Sequence, residues 1–235
     1  MQRKIIPLIL SALGILLQTR PATPYALSLG LDGFSAGPIP LQRTLLPALA
    51  QADLDGNGIP EILALNHSRL EILSEDQAVW TSPPEWQVAQ AAFSDLDKNG
   101  VPEVTLLLWR PFRPWPVDEL LPYGGRIKDF HNAAGLSCHI ILIGWRQGAY
   151  RELWAGSAMA DPVTAFANAD LDGDGFEELV TLENRYTDPQ GTAARVLKAW
   201  EWNGFGFTVV SYRNGSYNKM TLIRDDTGKV LILVP

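Results

Sequence analysis

The chain of 235 residues has a single cysteine, Cys138. An intramolecular disulfide is therefore excluded, and a cysteine-based zinc site has no ligands. Basic residues are also in short supply: 19 Lys and Arg stand against 26 Asp and Glu, for a net charge of −7 and a pI near 5.0. That balance argues against nucleic acid and against anionic membrane surfaces, and it suits cations. The only long apolar run, Ile5 to Leu17, is broken by Pro7, Ser11 and Gly14 and is too short to span about 30 Å of hydrocarbon as a helix.

What is there begins with an export signal. Arg3 and Lys4 precede the apolar run, the order expected of a secretory signal over residues 1–26. Neither candidate cleavage position has a small-x-small pattern, since Ala22 has Arg20 at −3 and Ala26 has Pro24. An uncleaved anchor thus stands beside a cleaved signal, and it is the one route by which the chain would meet a membrane. The expected destination is outside the cytoplasm: secreted, periplasmic or at the cell surface. Hydrophobic content of 46% is ordinary for a globular protein, and residues 27–235 read as one domain. Without disulfides, such a domain depends on its core, on bound ions, or on both.

Internal repeats dominate the rest. Three segments align without gaps: Ala52-Asp-Leu-Asp-Gly-Asn-Gly-Ile-Pro-Glu61, Ser94-Asp-Leu-Asp-Lys-Asn-Gly-Val-Pro-Glu103 and Ala169-Asp-Leu-Asp-Gly-Asp-Gly-Phe-Glu-Glu178. Each runs into an apolar, β-forming stretch, so each predicts an acidic loop followed by a strand. Hairpin signals fill the intervals, as at Val196 to Trp202, Asn203-Gly204 and Phe205 to Tyr212. The repeating unit is loop, strand, strand, turn, strand. Units of four strands in series are what a propeller blade needs.

The loops start at residues 53, 95 and 170, so the second interval is much longer than the first. The excess is a segment at about 110–138 rich in Pro, Gly and aromatics, which reads as an inserted surface loop because proline removes ladder donors. Near the C-terminus, Lys219 to Ile223 and Val230 to Val234 flank Asp225-Asp226-Thr227-Gly228, like the opening of a fourth unit whose loop has degenerated. At the other end, Ala26 to Leu31 and Phe34 to Leu41 form a lone hairpin around Asp32-Gly33. The expected fold is all-β: a small propeller of four blades, with the N-terminal hairpin completing the C-terminal blade and removing exposed sheet edges.

Counted from its first Asp, each loop places oxygen donors at positions 1, 3, 5 and 9, with Gly at 6 and a backbone carbonyl available at 7. The first offers Asp53, Asp55, Asn57, Ile59 and Glu61; the second Asp95, Asp97, Asn99, Val101 and Glu103; the third Asp170, Asp172, Asp174, Phe176 and Glu178. Alternate oxygens converge where the chain wraps an ion, and glycine permits the turn that brings position 7 inward. Hard oxygen donors in this number suit Ca2+ rather than Mg2+, which prefers a tighter octahedron that retains waters. An EF-hand would put a bidentate Glu at position 12 between helices; here that position holds Ala64, Leu106 or Thr181 within apolar strand patterns. Plain polar turns are the alternative, but they leave several acidic acceptors repelling one another without a cation.

The carboxylate at position 9 and the strand behind it resemble the integrin-type repeats called FG-GAP or VCBS repeats, over Ala50 to Leu182. The resemblance implies calcium-binding loops that join strands of propeller blades, with about three sites. Asp225 and Asp226 lack the alternate spacing, so no site is carried there. The ions are expected to serve structure rather than chemistry, in a secreted binding or scaffold module whose partner is an extracellular protein or glycan. Its candidate surface is the insertion, where Trp109, Phe112, Arg113, Trp115, Tyr123 and Arg126 are residue types found in binding hot spots; the same aromatics would also serve to pack the loop on its own blade. An enzyme is not expected. The alternative, a hydrolase or lyase acting on carbohydrate, would draw on Asp118, Glu119 and Asp129, with His131 and His139 nearby, and no nucleophile–base spacing emerges from them or from Ser137. Tryptophans 80, 86, 145, 154, 200 and 202 read as packing between blades.

Overall fold

The computed structural model describes residues 23–113 and 129–234. The signal segment up to residue 22 and the insertion residues Trp115, Asp118, Glu119, Tyr123 and Arg126 lie outside them. Among the described residues no helix is long and apolar enough to cross a membrane.

Three short strands come first: β1 (Tyr25–Ser28), β2 (Ser35–Gly37) and β3 (Arg43–Leu45). Three regular units follow. The first contains β4 (Gln51–Ala52), β5 (Glu61–Asn66), β6 (Arg69–Ser74) and β7 (Gln77–Thr81). The second contains β8 (Gln87–Ser94), β9 (Glu103–Pro111), β10 (Leu136–Arg146) and β11 (Ala149–Ala155). The third contains β12 (Val163–Ala169), β13 (Glu178–Glu183), β14 (Ala194–Trp202) and β15 (Phe207–Tyr217). The chain ends with β16 (Thr221–Asp225) and β17 (Val230–Val234). Each unit folds as an antiparallel meander, and the four sheets form a four-bladed β-propeller.

The fourth blade is assembled from both ends of the chain, in the order β2-β1-β17-β16-β3. β1 runs antiparallel to β17, with Leu27 opposite Ile232, and β2 folds back on β1 around Gly33. The expected hairpin is therefore present, and it completes this blade. The chain then crosses to the other edge, where β3 pairs with β16, Thr44 opposite Arg224. This fifth strand was not expected: its three residues are all exposed and carry no alternation to read.

Neighbouring blades share continuous apolar clusters. Leu70, Ile72, Trp86, Phe93 and Leu106 belong to the cluster between blades one and two. Ile140, Leu142, Phe166 and Leu179 join blade two to blade three, and Val180, Leu197, Leu27 and Ile232 join three to four. Central strands covered on both faces read as near-continuous apolar runs: β13 is buried throughout, and β9 is buried from Glu103 to Leu108. In blade one, β5 leaves Ile62 and Leu65 exposed.

The tryptophans act at these seams as expected. Trp154 of blade two stands edge-on to Trp202 and Phe207 of blade three, at 5.9 and 5.1 Å. Trp145 differs, being partly exposed and packed against Tyr150 of its own blade. The insertion is narrower than its sequence suggests, because β9 runs on to Pro111 and β10 starts at Leu136, with Cys138 opposite Trp109.

Candidate metal centres

Each acidic loop joins the first strand of a blade to the second. β4 leads through Asp53 to Glu61 into β5, β8 through Asp95 to Glu103 into β9, and β12 through Asp170 to Glu178 into β13. Leucine at position 2 anchors each loop. Leu54, Leu96 and Leu171 are buried, one in each of the three clusters between blades. Sequence reading gave this leucine no role, although its recurrence in all three copies was visible.

Around the anchor the backbone is folded by the acidic side chains. Asp53 accepts the amides of Gly56 and Gly58 at 2.8 and 2.9 Å, and Asp170 accepts those of Gly173 and Gly175 at 2.7 and 3.1 Å. Asp95 takes the amides of Asn99 and Gly100, each at 3.0 Å. At position 5 the side-chain oxygens of Asn57, Asn99 and Asp174 each accept the amide two residues on, at 2.7–2.8 Å. Gly58, Gly100 and Gly175 have φ of +85°, +79° and +93°, the left-handed region that favours glycine. The side chains of Ile59, Val101 and Phe176 at position 7 point to solvent.

Hydrogen bonds of this kind would suffice for ordinary polar turns; the glutamate at position 9 goes further. Glu61 and Glu103 are 0% exposed and Glu178 is 1% exposed. One carboxylate oxygen of each accepts the amide of the anchoring leucine at 2.8 Å. The other oxygens of Glu61 and Glu103 are buried without any hydrogen-bond partner. A buried, unpaired carboxylate oxygen is costly unless a cation meets it. In each loop the carboxylates at positions 1, 3 and 9 bring one oxygen apiece within 4.8 Å of one another. Three acidic clusters that could hold metal ions are thus in place, on donors that are all hard oxygens.

Electrostatics agree with the geometry. Burial pushes the Glu103 carboxyl up to about 8 and that of Glu178 to about 7, against the pull of their hydrogen bonds and with help from the neighbouring aspartates. Burial likewise raises Asp97. Apart from Lys98, whose charge Glu178 feels, the described residues offer these groups no counter-charge, and a divalent ion would supply one.

The fourth loop is different in kind. Asp225 Oδ1 accepts the amides of Thr227 and Lys229 at 2.9 and 3.0 Å and the Thr227 hydroxyl at 2.7 Å, so the turn closes on itself. Of the candidate partner residues, Trp109 lies in β9, half-buried and edge-on to Tyr186 at 5.9 Å. Phe112 is half-buried with its ring 5.1 Å from that of His131, and Arg113 is exposed.

Ser137 and His139 flank Cys138 on β10, and the Ser137 hydroxyl lies 2.8 Å from His139 Nε2 while Nδ1 faces the Gly156 carbonyl at 3.1 Å. Their spacing of two places them on one face of the strand, a pairing that sequence reading missed. Ser137 is buried, at 1% exposure. Burial, with the charge of Arg110, lowers His139 to about 4. Such an imidazole is a weak base. Comparison with protein-family models, with curated proteins and with solved structures finds no match.

Proposed function

We propose that this chain is an exported calcium-binding β-propeller of the FG-GAP/VCBS kind, in which three ions fix the loops at the blade openings and the body serves as a binding or scaffold module. The observation that carries the metal reading is the buried glutamate at position 9. A solvated acidic turn has no use for a carboxylate sunk into the core with one oxygen unpaired, whereas a cation held between Asp53, Asp55 and Glu61 completes it. The all-oxygen donor set and the flexible loop favour calcium over zinc or magnesium. Each ion would tie the first strand of its blade to the second, which a chain without disulfides can use in place of covalent staples.

Melting the chelator-stripped protein in buffer and in 1 mM calcium tests this reading: the melting temperature rises with calcium, and equality of the two curves refutes it. Partner binding is tested by a protein and glycan screen run with and without chelator. Ligand capture that survives Trp115→Ala with Tyr123→Ala moves the binding surface away from the insertion.

A further inference from the structure

The second and third loops are tied to each other. The amide of Asp95, the first donor of loop two, bonds Glu177 Oε2 of loop three at 3.0 Å. Glu177 lies between Phe176 and Glu178, the donors at positions 7 and 9 of its own loop. Asn168 Nδ2 locks the same oxygen at 2.7 Å and reaches the Phe93 carbonyl of blade two at 3.2 Å. From the other side Lys98, at position 4 of loop two, crosses to blade three. Its ammonium pairs with Glu201 at 2.6 Å and lies 5.0 Å from the centre of the Phe176 ring.

Lys98 is also the one departure from the glycine that loops one and three carry at position 4. It holds a left-handed φ of +62°, whereas Gly56 and Gly173 take +75° and +88° freely. A lysine kept in a conformation that favours glycine needs a surrounding structure that fixes it, and the bridge to blade three does so. Among the described residues, no hydrogen bond joins loop one to loop two or loop three; its neighbour in another blade is the Tyr150 hydroxyl beside Glu61, which belongs to neither loop.

From this juxtaposition we propose that loops two and three form a coupled pair of cation sites, filled with positive cooperativity, while loop one fills independently. The inference rests on calcium binding at the loops. An ion held by Phe176 and Glu178 orders Glu177 between them; Glu177 in turn holds the backbone at Asp95, so the second ion meets a loop already arranged. Electrostatics alone predicts the opposite sign. With its acids ionised, loop three carries five negative charges in Asp170, Asp172, Asp174, Glu177 and Glu178, and a divalent ion there weakens the field that draws a cation to loop two.

Calcium titration of the folded chain, followed by the amide resonances of Gly58 and Gly100, reports loops one and two separately. Asp172→Ala disables loop three and raises the calcium midpoint of Gly100 by about 5-fold or more, the low end of usual coupling, leaving that of Gly58 unchanged. Lys98→Gly with Glu177→Ala removes the bridge, so adding Asp172→Ala no longer moves Gly100, although calcium still binds. A Gly100 midpoint that stays or falls with Asp172→Ala overturns the coupling and leaves calcium binding standing. No calcium response at either glycine overturns both.

Discussion

Replacing Glu103 by glutamine separates a ligand from a structural acid, because the two roles predict opposite signs. In the parent, Glu103 Oε1 accepts the Ser94 hydroxyl and the Leu96 amide, each at 2.8 Å, and Oε2 has no partner. Glutamine keeps the accepting oxygen and volume but removes the buried charge and presents an amide to the site. Its folded pKa of about 8 lies above the ordinary 4.5, so the calcium-free parent loses stability as pH rises from about 4.5 through 8. Glu103→Gln abolishes that loss; the chelated variant should already be more stable than the parent at pH 7, and more so at pH 9. Calcium acts in the opposite direction, and only on the parent. At 1 mM free ion and a dissociation constant of about 0.1 mM, typical of extracellular modules, one site contributes about 1.4 kcal/mol. For a domain of this size that is a rise in Tm of about 3–6 °C from this site on adding calcium, seen in the parent and absent from the variant. Calorimetric scans at pH 7 and 9, in chelator and in calcium, read all four values. A variant that loses the same stability in chelator as in calcium refutes the ligand role.

Closure of the ring places Leu27 at 0% exposure among Ile232, Val234 and Leu222; Leu27→Ala should cost about 2–5 kcal/mol in denaturant unfolding, while Leu31→Ala, fully exposed on the same hairpin, leaves stability unchanged. Gly100 has φ +79° and open space around its Cβ position, so Gly100→Ala should cost about 1 kcal/mol through backbone strain alone, and a larger drop in calcium affinity than in chelated stability. His139 is held near 4 against an ordinary 6.5, so the unfolded chain takes up its proton first. The stability of a neutral His139 is complete above pH 6.5 and lost as pH falls through 4, by at most about 3 kcal/mol; His139→Gln should flatten this part of the acid limb in pH-dependent melting.

What the sequence made legible was local or repeated. Asp-x-Asp-x-Asn/Asp-Gly-x-x-Glu is a contiguous pattern, and three copies with strands behind them gave the loops; the blade count came from the degenerate unit around Asp225 and the hairpin around Asp32. Leu27 and Val230 to Val234 read as incomplete strand sets because each end lacked a partner. What stayed hidden depends on pairs far apart in the chain. β3 has no pattern of its own and exists because β16 offers an edge. Lys98 and Glu201 are separated by 103 residues, and Asp95 and Glu177 by 82; no periodicity connects such positions. Glu177 stands beside the ligand Glu178 and looks like its duplicate, but successive residues of an extended segment face opposite ways. One glutamate therefore faces its own loop and the other the neighbouring blade.

Among the described residues, the blade without an acidic cluster is also the blade sealed by both chain ends. In blades one to three, a single continuous segment makes all four strands, and its acidic loop brings together carboxylates that could hold an ion. In blade four the outer strands arrive from residues 25–37, so the sheet is closed by burial of Leu27, Ile232 and Val234 and by the β3 strand against β16. Its loop carries a cation in its own sequence: Lys229 donates its amide to Asp225 and, after the Thr227 hydroxyl and the burial that opposes it, its charge helps hold the Asp225 carboxyl below the ordinary range. An ion has nothing to complete there. Removing calcium should therefore loosen blades one to three first and leave the sealed blade protected, an order that amide exchange at Ile232, compared with Ile72, Val104 and Val180, resolves directly. Uniform loss of protection across all four blades would show instead that the ring opens as one unit.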